Sequence, residues 1–192
     1  MIFILSGPSG SGKTTLRDLL FKDKTLKKKG FVKAVSLTTR PKRDNEKEGR
    51  DYFFVSKKKF FSLRKEGKIL EWTRYLGYYY ATKKEVVEEA IRKKKNVLLC
   101  LDFKGAMYLK KRYPKEVVTI FVGAPSLEEL KRRISGRCKY TTHQEIGARI
   151  KLAQEELKNK SYYDYCLDNR DLTEAVKRLK RIMLKQLIKK EK

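Results

Sequence analysis

Apolar residues in this chain fall in short runs set among lysine-rich polar stretches, and the period changes from run to run. Ile2 to Leu5, Val97 to Leu101 and Val117 to Val122 are nearly unbroken apolar runs. Runs that short and continuous read as strands buried on both faces, the mark of a parallel sheet. Val32 to Leu37, Asp51 to Val55 and Asp164 to Leu167 read as further strands, and Ile69 to Tyr75 with Tyr78 to Ala81 flank Gly77 as a hairpin. Between the runs the spacing becomes helical. Leu16, Leu19 and Leu20 follow the first run, and Val176, Leu179 and Met183 mark an amphipathic helix from Leu172 onward. Ser56 can cap a helix that Gly67 ends. Thr82-x-x-Glu85, Ser126-x-x-Glu129 and Thr142-x-x-Glu145 have the spacing of capping boxes, the first opening a helix to about Lys94. Strands alternating with helices predict an α/β fold with a mainly parallel sheet. Residues from about Val32 to Ala81 break that rhythm and predict an inserted subdomain.

The first run leads directly into Gly7-Pro8-Ser9-Gly10-Ser11-Gly12-Lys13-Thr14, which fits G-x-x-x-x-G-K-[ST], the phosphate-binding loop. Glycines let the backbone curl with its N–H groups inward as an anion nest, and the helix starting near Lys13 adds its positive end. The Lys13 ammonium would reach the β- and γ-phosphates, and the Thr14 hydroxyl would hold Mg²⁺. Strand, loop and helix arrive in the order the motif requires. The loop identifies a nucleotide but no reaction, because ATPases, GTPases and small-molecule kinases share it. Val97 to Asp102 adds an apolar strand ending in an acid, where Asp102 would help hold the Mg²⁺ ion or its waters.

Composition narrows the class. The 192 residues fit one domain, and 40% hydrophobic content is that of a globular chain. No apolar run approaches the roughly 18 residues of a spanning helix, and no cationic-then-apolar leader precedes the loop, so the expected compartment is cytoplasmic. Cys100, Cys138 and Cys166 lie far apart without a C-x-x-C pair and read as reduced thiols. The net charge of +26 has two readings, a polyanionic partner such as nucleic acid or a lysine-rich solvated surface. No nucleic-acid fold motif accompanies it, and the expectation is weak, salt-sensitive, non-specific nucleic-acid binding.

Phosphoryl transfer between two nucleotides brings two polyanions together and needs cations at both phosphate sites. Two arginine groups stand out in a chain where lysine is abundant elsewhere. One is Arg40 and Arg43, followed by Tyr52; the other is Arg132, Arg133, Arg137 and Arg149. Guanidinium forks grip phosphate oxygens bidentately, which lysine cannot do.

Taken in order, the Gly7–Thr14 loop, Ser36-Leu37-Thr38-Thr39-Arg40, Arg43, Gly49-Arg50-Asp51-Tyr52, Glu71-Trp72 and Gly77 through Tyr80 resemble guanylate kinase, along nearly the whole chain to Asn169. The resemblance implies a P-loop NTPase-type parallel sheet flanked by helices, with an inserted small mixed-β GMP-binding subdomain and a helical lid. The core would cover about 1–31, 83–125 and 160–192, the GMP-binding subdomain about 32–82 and the lid about 126–159. The implied activity is transfer of the γ-phosphoryl of ATP to GMP, with Mg²⁺. Arg40, Arg43, Tyr52 and Tyr80 would hold the GMP phosphate. Ser36, Glu71 and Thr82 would read the guanine edge, with Asp102 beside them. Gly7, Pro8, Ser9, Gly10, Ser11, Gly12, Lys13, Thr14, Thr15 and Asn169 would hold ATP. Lys13, Arg43, Arg137 and Arg149 would act on the transferring phosphoryl, Arg137 from the lid and Arg149 from the helix after it. Thr14 and Asp102 would serve the metal. A glutamate carboxylate accepts from N1–H and N2–H₂ of guanine, a donor pair that adenine lacks.

The chain also departs from the family pattern. Cys100 stands where the family usually has another acid, Lys104 where it has glutamine, Cys138 where a glycine follows the lid arginine, and Arg170 where an acid follows Asn169. His143, the only histidine, sits in a capping segment and is expected to be solvated and idle. A kinase for another phosphorylated small molecule is disfavoured by Ser36 and Glu71. A non-catalytic interaction module is disfavoured by Lys13 and Thr14. A basic nucleic-acid-binding ATPase is the third alternative.

Overall fold

The computed structural model describes residues 1–44, 46–136 and 143–191. In chain order it contains β1 (Ile2–Ser6), α1 (Lys13–Leu20), α2 (Lys24–Lys28), β2 (Phe31–Lys33), β3 (Leu37–Thr38), β4 (Phe53–Phe54), α3 (Lys57–Lys65), β5 (Ile69–Tyr75), β6 (Tyr78–Lys83) and α4 (Lys84–Arg92). There follow β7 (Asn96–Cys100), α5 (Phe103–Arg112), β8 (Val117–Gly123), α6 (Leu127–Ser135), α7 (His143–Lys158), β9 (Tyr165–Asp168) and α8 (Leu172–Glu191).

Five strands form an all-parallel sheet in the order β2-β7-β1-β8-β9. The unbroken apolar runs are explained by burial on both faces. Ile2 and Ile4 join Val87, Leu99, Leu109 and Phe121 in one core cluster. Phe3 and Leu5, pointing the other way, join Leu16, Leu98, Ile120, Leu179 and Met183 in a second. No described helix is long and apolar enough to cross a membrane.

The stretch that breaks the rhythm forms a second, four-stranded sheet in the order β4-β3-β6-β5, with β3 and β4 parallel and the other pairs antiparallel. Leu76 (φ 47°) and Gly77 (φ 80°) turn the β5–β6 hairpin, the left-handed pair that a tight hairpin turn requires. Leu37, Phe60 and Ala81 form its small core, and Tyr79 packs there with its ring 5.2 Å from that of Phe60. Ser56 Oγ accepts from Lys59 N at the start of α3, as expected of its cap.

Three local expectations change. Val32 to Leu37 is not one strand: Phe31–Lys33 pairs with β7 in the large sheet, and Leu37–Thr38 pairs with β4 and β6 in the small one. One straight strand cannot serve two differently oriented sheets, so the chain leaves the first at Ala34. The Thr82-x-x-Glu85 box does not form. Lys83 is the N-cap of α4, without a side-chain cap bond, because Thr82 lies inside β6 and its hydroxyl is engaged elsewhere. Strand β7 ends at Cys100, and Asp102 caps α5, its Oδ1 accepting from Gly105 N at 2.9 Å.

Candidate active site

The phosphate loop opens where β1 ends. Gly7, Gly10 and Gly12 have φ of 125°, 86° and 93°, which only glycine adopts without strain. Space imposes the same choice, since a Cβ on Gly7 would lie 2.3 Å from Val122 O and one on Gly12 2.3 Å from Asn169 Nδ2. Lys13 begins α1 and folds back over the loop, its Nζ donating to Gly7 O and, at 2.8 Å, to Pro8 O. Asn169, which the sequence placed with ATP, is buried behind the loop and donates through Nδ2 to Ser11 O at 2.8 Å. It braces the loop. Thr15 is exposed.

A cleft of about 380 Å³ lies in front of this loop. Gly7, Ser9, Gly10, Gly12, Lys13 and Thr14 form one wall. Ser36, Arg40, Arg43, Tyr52, Glu71, Tyr75 and Tyr80 form another from the small sheet and its loops. Cys100, Leu101 and Asp102 come from the end of β7, and Arg149 and Glu156 from α7. The cleft therefore lies at the C-terminal ends of the parallel strands, the usual ligand position in such sheets.

Glu71 is 7% exposed, and its Oε1 accepts from the Thr82 hydroxyl at 2.6 Å across the β5–β6 ladder. Gly105 in the first turn of α5 makes room for its other oxygen, because a Cβ there would stand 2.7 Å from Glu71 Oε2. Burial, with the charge of Asp102 added, pushes the Glu71 carboxyl up to about 7, while the Thr82 hydrogen bond pulls the other way.

The Arg40 guanidinium stacks beside Tyr52, 5.5 Å from its ring centroid, and donates through Nη2 to both Glu46 oxygens at 2.7 and 2.9 Å. Arg43 N also donates to Glu46 Oε2 at 3.0 Å. The Glu46 carboxylate thus sits on the arginine group as an anionic ligand does. Nothing in the sequence pointed to Glu46. Tyr52 and Tyr80 meet edge to face at 6.0 Å, and burial pushes the Tyr52 hydroxyl up to about 12.

The second arginine group divides. Arg149 Nη1 reaches Ser9 Oγ at 3.4 Å and lines the cleft. Arg132 and Arg133 do not line it: both donate to Glu129 on their own helix, at 2.7 to 2.8 Å, and hold its carboxyl down to about 2. Helical i+3 and i+4 spacing makes that neighbour unavoidable. Arg137 and Cys138 lie outside the described residues, as does Thr142; the side chain of His143 is likewise not described.

Glu156 was missed. It stands two helical turns after Arg149 on α7, a spacing that puts both on one face and could have revealed it. Its Oε2 is buried without a hydrogen-bond partner, and burial pushes its carboxyl up to about 7 against the pull of Lys13. Behind the loop, Arg17 is 4% exposed, donates through Nε to Asp18 at 3.1 Å and leaves Nη2 buried without a partner. Its charge and that of Lys13 act on Cys100, whose thiol burial pushes up. Cys100 and Cys166 are free thiols.

Thr14 and Asp102 line the same cleft and offer hard oxygen donors. Among the described residues no three His, Cys, Asp or Glu side chains group as a metal cage. The two oxygen donors fit Mg²⁺, which binds through one or two protein groups together with substrate phosphates.

The family model for guanylate kinase matches residues 1–186. The chain belongs to the guanylate kinase family. Among its relatives, the guanylate kinase of Mycoplasma mobile is 42% identical over 191 residues, spanning 97% of this chain and 93% of that protein. The guanylate kinase of Oceanobacillus iheyensis is 39% identical, spanning 100% of this chain and 90% of that protein. Among solved structures, guanylate kinase from Anaplasma phagocytophilum superimposes with a TM-score of 0.80 at 32% identity, covering 97% of this chain and 85% of that one. As a guanylate kinase the protein is an ATP:GMP phosphotransferase.

Proposed function

We propose that the cleft holds GMP against the small sheet and ATP against the phosphate loop, with Arg149 and Lys13 over the phosphoryl group in transit. The observation carrying this reading is the buried Glu71, held by Thr82, which lines the same cleft as the phosphate loop. The loop supplies a nest of N–H groups and a helix N-terminus for phosphate oxygens. Glu71 and Ser36 accept or donate at the guanine edge. Arg40, Arg43, Tyr52 and Tyr80 take the GMP phosphate, and Glu46 leaves Arg40 when it arrives. Lys13 leaves the loop carbonyls of Gly7 and Pro8 for the β- and γ-phosphates. Arg149 spreads the charge that develops on the transferring group, as does Arg137 of the lid.

Thr14 and Asp102 would hold the Mg²⁺ that accompanies ATP, which would supply positive charge against the phosphates. The division into a core (1–31, 83–125, 160–192), a GMP-binding subdomain (32–82) and a lid (126–159) supplies the closure that keeps water from the γ-phosphoryl. A cytoplasmic location fits the substrates. The charge of +26 supports salt-sensitive association with nucleic acid as a separate property. A coupled ADP-release assay with GMP, AMP, CMP and UMP tests the assignment. GMP should be preferred over AMP by roughly 10⁴-fold, because a wrong base leaves buried polar groups unpaired. Equal rates with AMP and GMP would remove Glu71 and Ser36 from the base site.

A further inference from the structure

Two helices carry exposed cations far from the cleft. Strand β1 enters the sheet after Met1 and leaves it at Ser6 for the phosphate loop, so Met1 marks the end opposite the cleft. Helix α8 starts after β9 at the cleft end and runs back. At the far end its Lys190 charge acts on the Met1 amino group. Helix α2 lies alongside, joined where Lys180 Nζ donates to Asp23 Oδ2 at 2.7 Å. It leads into β2 at the Asn96 end of β7, again opposite the cleft. Lys27 and Lys28 of α2 and Arg181 and Lys185 of α8 are exposed on this surface, with no carboxylate partner among the described residues. A shallow groove of about 520 Å³ runs along α8 between Lys177 and Ile188.

We propose that this surface binds double-stranded nucleic acid through its phosphate backbone, independently of the kinase reaction. A duplex presents about one negative charge per 1.7 Å, and exposed cations on two adjoining helices offer it counter-charge without reading bases. The apolar face of α8 is already used, since Leu179, Met183 and Leu187 are buried in the core. Of its large apolar residues only Leu172 and Ile188 remain exposed, too little to seat the helix in a bilayer. Neither helix carries an aromatic residue, so neither offers the stacking platform that single strands use.

Fluorescence anisotropy with short DNA and RNA duplexes, single strands of the same sequence, and anionic phospholipid vesicles tests this. The duplexes should bind, with affinity falling about 10²-fold or more between 50 and 200 mM salt. The triple variant Lys27→Glu, Arg181→Glu, Lys185→Glu should bind duplex at least about tenfold more weakly, with a salt slope smaller by about three, and should phosphorylate GMP at the unaltered rate. Lys57→Glu, Lys58→Glu, Lys59→Glu makes the same charge change on α3 and should leave duplex binding within about threefold of the unaltered protein. Equal losses in the two triples would mean that net charge alone binds and would overturn the proposal. So would failure to bind duplex at low salt, preference for single strands, or binding confined to vesicles.

Discussion

The Thr82 hydroxyl donates to Glu71 Oε1 at 2.6 Å, and both residues are buried. A buried carboxylate that keeps one oxygen fixed in this way presents the other in a set direction. Thr82→Val removes the donor and leaves the acceptor unpaired, at a cost of about 1–3 kcal/mol in stability. The GMP kcat/KM should fall by at least about tenfold, and Thr82→Ser should restore most of both. Melting curves and steady-state kinetics of the two variants check this; an inactive Thr82→Ser with unaltered stability would deny the hydroxyl its role.

In the proposed binding mode Glu46 would compete with the acceptor phosphate for Arg40. Its two oxygens occupy the Arg40 Nη2 at 2.7 and 2.9 Å, so phosphate must displace a carboxylate to bind. Glu46→Gln removes the competing charge and should tighten GMP binding several-fold, while Arg40→Ala should weaken it by about 10²-fold or more, the loss of a charge-assisted pair. Calorimetric titration with GMP reads both. Weaker binding in Glu46→Gln would mean that the carboxylate instead holds Arg40 in its binding position.

Cys100 feels the charge of Arg17, whose Nη2 is buried and unpartnered. A carboxylate at this position would find a cation waiting. Cys100→Asp should therefore raise stability by about 1–3 kcal/mol, despite the usual penalty for burying a charge, and should lower the Mg²⁺ concentration for half-maximal rate. In an Arg17→Met background the same substitution should destabilise. Melting curves of the four proteins decide this; a loss of stability in both backgrounds would show that Cys100 is packing alone.

Asp164 fastens β9 to β8. Its Oδ2 accepts from Thr119 N and Oγ1 at 2.8 and 2.7 Å, and its Oδ1 from Lys110 at 2.7 Å. Burial raises the carboxyl, but these bonds prevail and hold it below its ordinary 3.8. A depressed acid contributes stability above its unfolded pKa and loses it as pH falls through the folded one. Asp164→Asn should thus be less stable at pH 7, and its deficit should shrink as both proteins are taken from about pH 5 to below pH 4. Urea midpoints across that range measure it, and a deficit independent of pH would assign the loss to packing.

Much of the architecture was legible because burial on both faces leaves continuous apolar runs, as at Ile2–Leu5 and Val117–Val122. The loop was legible because its glycines are forced by φ and by the nearby Val122 carbonyl. What local pattern could not reveal depended on partners distant in sequence. Thr82 had the spacing of a cap, but its hydroxyl is claimed by Glu71 across a ladder. Arg132 and Arg133 looked like phosphate ligands until helical spacing paired them with Glu129. Glu46 sits in an irregular loop without periodicity, and its role follows only from how that loop folds back on Arg40.

The guanine edge is the centre of this account, and one comparison tests it most directly: kcat/KM for GMP, IMP and AMP with the unaltered protein and with Glu71→Gln. GMP offers N1–H and N2–H₂ to the carboxylate, IMP offers N1–H alone, and AMP offers neither. The unaltered protein should therefore use them in the order GMP, IMP, AMP, each missing donor costing about 1–3 kcal/mol or more. Glu71→Gln should compress the GMP-to-AMP ratio by at least about 10²-fold. It should also be more stable at pH 8 than the unaltered protein. The Glu71 carboxyl, raised by burial to about 7, is costly to ionise, and that cost grows as pH rises from its ordinary 4.5 to the folded value. A Glu71→Gln enzyme that keeps the full GMP preference would contradict the account.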